Sequence, residues 1–335
     1  MFPYLFKRLL LIIPTFFGIT LITFLIIQLA PGNPVSLKIQ QLGGEGIRSE
    51  TISKEVIEQT KKLYGLDKPL GVQYVLWVKK IVTLDFGDSY KDHRPVIKKI
   101  GEALPITLTL NIVSILIIYL VAIPLGLFSA TRPNSRIDQL TTLFFFILYS
   151  LPAFWVAMLL IMFLGGGEYL DLFPVVGILS RGSEQLSFFG KIGNMLWHLV
   201  LPVTALTVGG FAFMARFWRA QVLEVIRQDY IRTARAKGLP ERIVVWKHAV
   251  RNALIPMVTL MGSLLPAMIG GSVIVEQIFT IPGMGKLGFE AVLSRDYPTV
   301  MALAAIEALL TLVGILLSDL LYVAIDPRIS FEGKA

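Results

Sequence analysis

Runs of apolar residues too long for a water-soluble core dominate this chain. Residues 9–30 carry no charged side chain, and a helix of about 20 apolar residues crosses the hydrocarbon of a bilayer. Comparable runs recur at 105–130, 140–164, 197–217, 254–279 and 300–324. Hydrocarbon offers no partner to an exposed amide, so runs of this length are expected to be helices. The expectation is an all-α, polytopic membrane protein with about six spanning helices. Composition agrees: 16% of the 335 residues are charged, against about 25% in an average soluble domain.

Lys7 and Arg8 ahead of residues 9–30 imitate a secretory signal. The apolar stretch exceeds the roughly 7–15 residues of a signal core, so we read it as a retained first span with a cytoplasmic tip. It ends at Pro31-Gly32-Asn33-Pro34. Residues 35–104 are polar and patterned for short helices. Ser53 can cap one whose stripe is Val56, Ile57, Thr60 and Leu63, with Gly65 placed to stop it. Pro69 can open another, with Leu70, Tyr74, Trp77 and Ile81 on one face. The expected division is 1–30, tip and first span; 31–104, an extracytoplasmic module; 105–325, the core with spans two to six and an inner loop at 218–253; and 326–335, a cytoplasmic tail. Pro124, Pro152, Pro202, Pro256 and Pro266 lie within or at the ends of spans and are read as kinks. Orientation follows the lysines and arginines. Arg132, Arg136 and the cations between Arg216 and Arg251 mark inner loops, whereas the short outer loops hold Arg181, Lys191, Lys286 and Arg295. Both termini are then cytoplasmic.

The formal net charge of +8 belongs to this inside bias, and no zinc-finger, RNP or helix-turn-helix pattern points to nucleic acid. The chain has no cysteine, which excludes disulfides and thiolate chemistry. Gly283-Met284-Gly285-Lys286 imitates a phosphate loop, but Thr280 stands where its first glycine belongs and no Ser or Thr follows the lysine. His93, His198 and His248 are scattered outside any zinc motif, and no Gly-x-Ser-x-Gly elbow exists. No catalytic residue, cofactor site or metal site is expected in this chain.

Two features carry function. The first is the inner loop, roughly 35 residues long where packed helices need about 2–8. Asp229 to Pro240 reads as a helix, a glycine stop and a proline, and Glu241 to Ala249 as a short amphipathic helix with Ile243, Val244 and Trp246 apolar. Such a helix suits either a partner's groove or a lipid surface. The second is a set of polar groups inside spans: Asn111, Glu276, Glu307 and Asp319. In a bilayer these are candidates for a translocation path, or else structural pairs between helices.

Thr233-Ala234-Arg235-Ala236-Lys237-Gly238, followed by His248-Ala249-Val250-Arg251-Asn252, resembles the EAA loop of permease subunits of binding-protein-dependent ABC importers. The similarity covers nearly the whole chain and favours the B-type permeases of dipeptide, oligopeptide and nickel importers. It is carried by Ala30-Pro31-Gly32-Asn33-Pro34, Gly65-Leu66-Asp67-Lys68-Pro69-Leu70 with Gln73-Tyr74 and Trp77, and Asp85-Phe86-Gly87-Asp88-Ser89. Further on it is carried by Ser150-Leu151-Pro152-Ala153-Phe154-Trp155, Glu276-Gln277-Ile278-Phe279, Pro282-Gly283-Met284-Gly285, Arg295-Asp296-Tyr297-Pro298 and Asp326-Pro327-Arg328-Ile329.

The resemblance implies a type I importer permease fold in a bacterial inner membrane. It implies a second, C-type permease, two ABC ATPase subunits that bind ATP and magnesium, an extracytoplasmic substrate-binding protein, and a di- or oligopeptide as cargo. It assigns ATPase coupling to Tyr230, Thr233, Ala234, Arg235, Ala236, Lys237, Gly238, Leu239, Trp246, His248 and Asn252. Two departures stand out: Arg232 occupies the position of the family's glutamate, and Val250-Arg251 replaces a Leu-Pro. The resemblance thus carries the docking surface but not its polar contacts. A nickel or other small-solute permease of the same family is the alternative. An ion-driven secondary transporter would explain the spans and Glu307 but not the long inner loop or the absence of repeats, and a membrane hydrolase is disfavoured by the missing catalytic motifs.

Overall fold

The computed structural model describes residues 2–29, 67–167 and 169–325. The helix expected after Ser53 and the tail 326–335 lie outside these residues. The described helices are α1 (Phe2–Leu29), α2 (Leu70–Val82), α3 (Val96–Thr131), α4 (Arg136–Ser150), α5 (Ala153–Leu160), α6 (Phe188–Ile226), α7 (Asp229–Ala236), α8 (Glu241–Ile243), α9 (Val250–Gly270), α10 (Val273–Ile278), α11 (Met284–Leu293) and α12 (Tyr297–Ile325). No strand forms among the described residues; one isolated bridge joins Asp88 and Pro95. The fold is all-α.

Four of these helices, α1, α3, α6 and α12, are each long and apolar enough to cross a membrane. The third expected span is not one helix. It breaks between α4 and α5 with a bend of 92°, because Pro152 cannot donate an amide and holds Leu151 extended ahead of it. Counted as one span, the pair makes five. The fifth expected span also divides, into α9 and α10. Gly271 separates them with φ +69° and ψ 179°, a conformation essentially confined to glycine. Pro124, Pro202, Pro256 and Pro266 are carried inside helices.

Helix lengths differ from the hydropathy reading at polar ends. The second span, expected from Pro105, belongs to a helix that begins at Val96. The fourth, expected over 197–217, lies within a helix that runs from Phe188 to Ile226. Hydropathy marks the lipid-facing part of a helix; capping and packing mark its ends. Ser187 caps α6 by accepting from the Gly190 amide at 3.3 Å.

The centre of the molecule is α3 against α6. Gly126 permits the contact: a Cβ there would sit 2.7 Å from the Ala215 carbonyl and 3.1 Å from the Trp218 ring. Around it Ala122, Leu127, Phe145, Ala212, Trp218 and Val222 form one buried cluster. A second cluster, with Leu110, Ala157, Leu199, Leu201, Val275 and Phe279, joins α3, α5, α6 and α10 at the opposite end. α1 packs along α12 and exposes most of its surface, as a peripheral span facing lipid would. Phe24 of α1 is buried against Tyr74 and Trp77 of α2. Tyr74 Oη also donates to the Phe17 carbonyl at 3.0 Å. α2, the described helix of the module after the first span, is therefore folded onto α1.

Candidate functional site

A small folded unit is built where α6 leaves the bundle. Ile231 and Ala234, on the inner face of α7, pack with Val244, Ala249 and Leu239 and with Val225 and Ile226 at the end of α6. α7 then stops at Gly238. Its amide bonds to the Arg235 carbonyl at 2.9 Å, and the Leu239 amide reaches the Ala234 carbonyl at 3.4 Å. These are the two bonds of a Schellman ending, with Leu239 supplying the apolar contact. Gly238 has φ +77° and open space around its missing side chain, so any cost of a side chain there is backbone strain alone.

Pro240 opens the return. α8, a π-helical stretch (Val244–Ala249) and α9 follow without a break in helical dihedrals. The short amphipathic helix expected over 241–249 is therefore fused to the next span, since no Gly or Pro intervenes before Pro256. The wide π turns also shift the buried face. Val244 and Val245 are buried, while Ile243 and Trp246 are exposed. The return is pinned to α7 by Arg235, whose Nε and Nη2 donate to Glu241 at 3.0 and 2.6 Å. The Arg235 guanidinium holds the Glu241 carboxyl below the usual carboxylate range. The pair is exposed and contributes at most about 1 kcal/mol; it orients rather than stabilises. Asn252 donates to Tyr230 Oη at 2.9 Å and to the His248 carbonyl at 3.0 Å. Tyr230, Thr233, Ala234, Arg235, Gly238, Leu239, Trp246, His248 and Asn252 thus belong to one small folded unit. Tyr230, Thr233, Arg235, Ala236 and Lys237 present its outer surface.

The residues read as a translocation path separate into different roles. Glu276 is wholly buried. Its Oε1 accepts from Thr107 Oγ1 at 2.9 Å, and its Oε2 from the Lys286 amide at 2.8 Å in the first turn of α11. Thr107 Oγ1 in turn accepts from the Met284 amide at 2.7 Å. The carboxylate thus caps α11 and ties it to α3 and α10. Asn111 Nδ2 donates to the Met268 carbonyl at 2.8 Å, near the end of α9, so it satisfies backbone next to the break at Gly271. Asp319 pairs with Arg8 of α1 at 3.2 Å. Glu307 alone among the four is exposed. It borders a cavity of about 310 Å3 shared with Gly270, Val273, Gly285 and Gly288.

Residues 122–331 match the family described as "Binding-protein-dependent transport system inner membrane component". The chain belongs to this family. Residues 1–111 match its companion description, "Binding-prot-dependent transport system membrane comp, N-term". The "Oligopeptide transport system permease protein AppB" of Bacillus subtilis is 41% identical over 332 residues, covering 99% of this chain and 100% of its own. The "Inner membrane ABC transporter permease protein YejB" of Escherichia coli O157:H7 is 38% identical, with 99% of each chain covered. The "Dipeptide transport system permease protein DppB" of Escherichia coli K12 is 34% identical, with 98% of this chain and 99% of its own covered.

Two buried centres of this permease were not singled out from sequence. Asp138, at the start of α4, receives Arg219 Nε and Nη2 of α6 at 2.8 Å each. The Asn134 amide bonds it at 2.9 Å, and Ser129 Oγ of α3 completes the set. At the other end Asp296 is buried before α12. It receives Ser89 Oγ at 2.5 Å, the Tyr90 amide at 2.7 Å and Thr299 Oγ1 at 2.6 Å. The motifs around Asp85–Ser89 and Arg295–Pro298 therefore meet in space; their order in the chain gave no sign of that contact. For the first centre, the available signal was a lone acid beside the Asn-Ser turn of an otherwise cationic loop. Among the described residues no cluster of side chains could hold a metal ion.

Proposed function

We propose that this chain is one of two permease subunits of an ATP-driven importer for short peptides. Its sister subunit would supply the other half of the path, two ATPase subunits would bind ATP and magnesium, and an extracytoplasmic binding protein would deliver the peptide. The permease itself makes and breaks no bonds. It alternates access between two sides of the membrane, with both termini and the α7 unit in the cytoplasm. The names of the B. subtilis and E. coli K12 relatives, oligopeptide and dipeptide permeases, support the cargo.

The α7 unit carries this reading. It stands outside the spans with an exposed polar face, yet its buried face is shared with α6 and the rod from α8 to α9. A partner gripping α7 moves two spans at once, as a rigid two-state element requires. Glu307, on the cavity between α9, α11 and α12, is the acidic group offered to a zwitterionic cargo.

Reconstituted transporter assayed in parallel for ATP hydrolysis and peptide uptake tests both parts. Gly238→Val forces a β-branched residue into left-handed backbone, a strain of about 1–2 kcal/mol or more. It is expected to cut uptake per ATP at least several-fold while insertion into the membrane stays normal. Glu307→Ala is expected to slow uptake with the ATPase still bound. Unchanged uptake in Gly238→Val would count against the α7 unit as a handle, and unchanged uptake in Glu307→Ala would leave Glu307 outside the path.

A further inference from the structure

An open groove of about 470 Å3 lies between the end of α3 and the start of α8. Pro124, Leu127 and Phe128 form its apolar wall on α3, and Arg242 and Trp246 face them from the return segment. Trp246 is 59% exposed, and an amphipathic indole of this kind suits a membrane–water boundary. Arg132 closes one end, its guanidinium 4.6 Å from the centre of the Phe128 ring. Neither Arg132 nor Arg242 forms an ion pair among the described residues. The one acid in the groove, Glu241, is already held by Arg235 at 2.6 Å.

Position selects the occupant. α3 is long and apolar enough to cross a membrane, and its apolar run ends at Ala130, just before Arg132. The groove therefore lies where hydrocarbon gives way to headgroups. An apolar wall on the hydrocarbon side, an indole at the boundary and two uncompensated guanidiniums on the aqueous side fit one amphiphile. An apolar protein helix in this place would leave both cations without a counter-charge. A neutral lipid would also do so.

We propose that this groove binds an acidic phospholipid, with an acyl chain along Pro124, Leu127 and Phe128 and the phosphate between Arg132 and Arg242. Guanidinium groups bind phosphate oxygens through paired, charge-assisted hydrogen bonds. The site needs only that α3 spans the membrane. It involves no residue of α7, but it shares Trp246 with the folded unit proposed to dock the ATPase.

Native mass spectrometry of the full-length chain, released from nanodiscs of equimolar phosphatidylglycerol and phosphatidylcholine, reads the site directly. The wild-type chain is expected to retain phosphatidylglycerol in preference. Arg132→Gln with Arg242→Gln is expected to lower that preference about thirtyfold, as loss of two interfacial cations at about 1 kcal/mol each should. Arg132→Lys with Arg242→Lys keeps the charge and most of the retention, which separates lost binding from lost folding. Arg181→Gln, on an outer loop, should change nothing. Equal retention of both lipids by the wild type, or undiminished phosphatidylglycerol on the double glutamine variant, would overturn the proposal. So would displacement of the retained lipid by millimolar inorganic phosphate, which would mark a free-anion site.

Discussion

Arg219→Gln is expected to destabilise the permease by about 3 kcal/mol, the cost of leaving a buried carboxylate without its cation. Asp138 is 3% exposed and has four partners, two of them the guanidinium nitrogens of Arg219. Glutamine cannot reproduce that fork or its charge. Thermal unfolding in detergent should show an apparent melting point lower by roughly 5–10 °C. Asp138→Asn in the same chain should restore much of the loss, because it removes the stranded charge as well as the missing cation. A single variant as stable as the wild type would show that Arg219 adds nothing beyond what water could supply. The consequence extends beyond stability. Asp138 fixes the corner between α3 and α4, and Arg219 lies on the helix that leads into α7. The clamp keeps the stem of the handle seated on two other spans.

Gly271→Ala is expected to be as damaging, for a steric reason. Its backbone conformation costs a residue with a side chain about 1–3 kcal/mol. Its Cβ would also stand 2.5 Å from Glu276 Oε1, 2.8 Å from the Gly285 nitrogen and 3.2 Å from Thr107. Overpacking of this kind costs about 1–3 kcal/mol more, and relief requires pushing out the carboxylate that caps α11. Gly238→Ala makes a useful comparison: the sign of φ is the same, but no atom lies within 4 Å. The Gly271 variant should therefore lose assembled transporter on size-exclusion chromatography, while the Gly238 variant should keep it. Comparable behaviour of the two would mean that the crowding at Gly271 is absorbed without cost.

Hydropathy made the spans legible because lipid-facing side chains report their surroundings one residue at a time. α1, α3, α6 and α12 were visible in this way, and so was the stop at Gly238, a signal local to one turn of helix. Contacts between distant residues were not visible. Arg219 counts toward the inside-positive pattern as readily as any exposed arginine, and nothing in its neighbours reveals Asp138. Glu276 and Asp319 both scored as acids in spans. Whether such a carboxylate lines a path or caps a helix depends on what folds against it: Thr107 and α11 for Glu276, Arg8 for Asp319. The divided spans lay between these extremes. Pro152 announced a kink, but its 92° sharpness comes from α5 packing on α6 and α10. The buried face of the return after Pro240 is not legible from periodicity, because a π turn rotates it by a step that a 3.6-residue period does not contain.

The proposed coupling requires the α7 unit to face the cytoplasm and to be gripped there. The chain has no cysteine, and Thr233 is exposed on α7, so Thr233→Cys gives a single reporter. Labelling with a membrane-impermeant maleimide should occur in inside-out vesicles and not in right-side-out ones, and should fall sharply once the ATPase subunits are bound. Labelling from the outer side, or labelling indifferent to bound ATPase, would contradict the account.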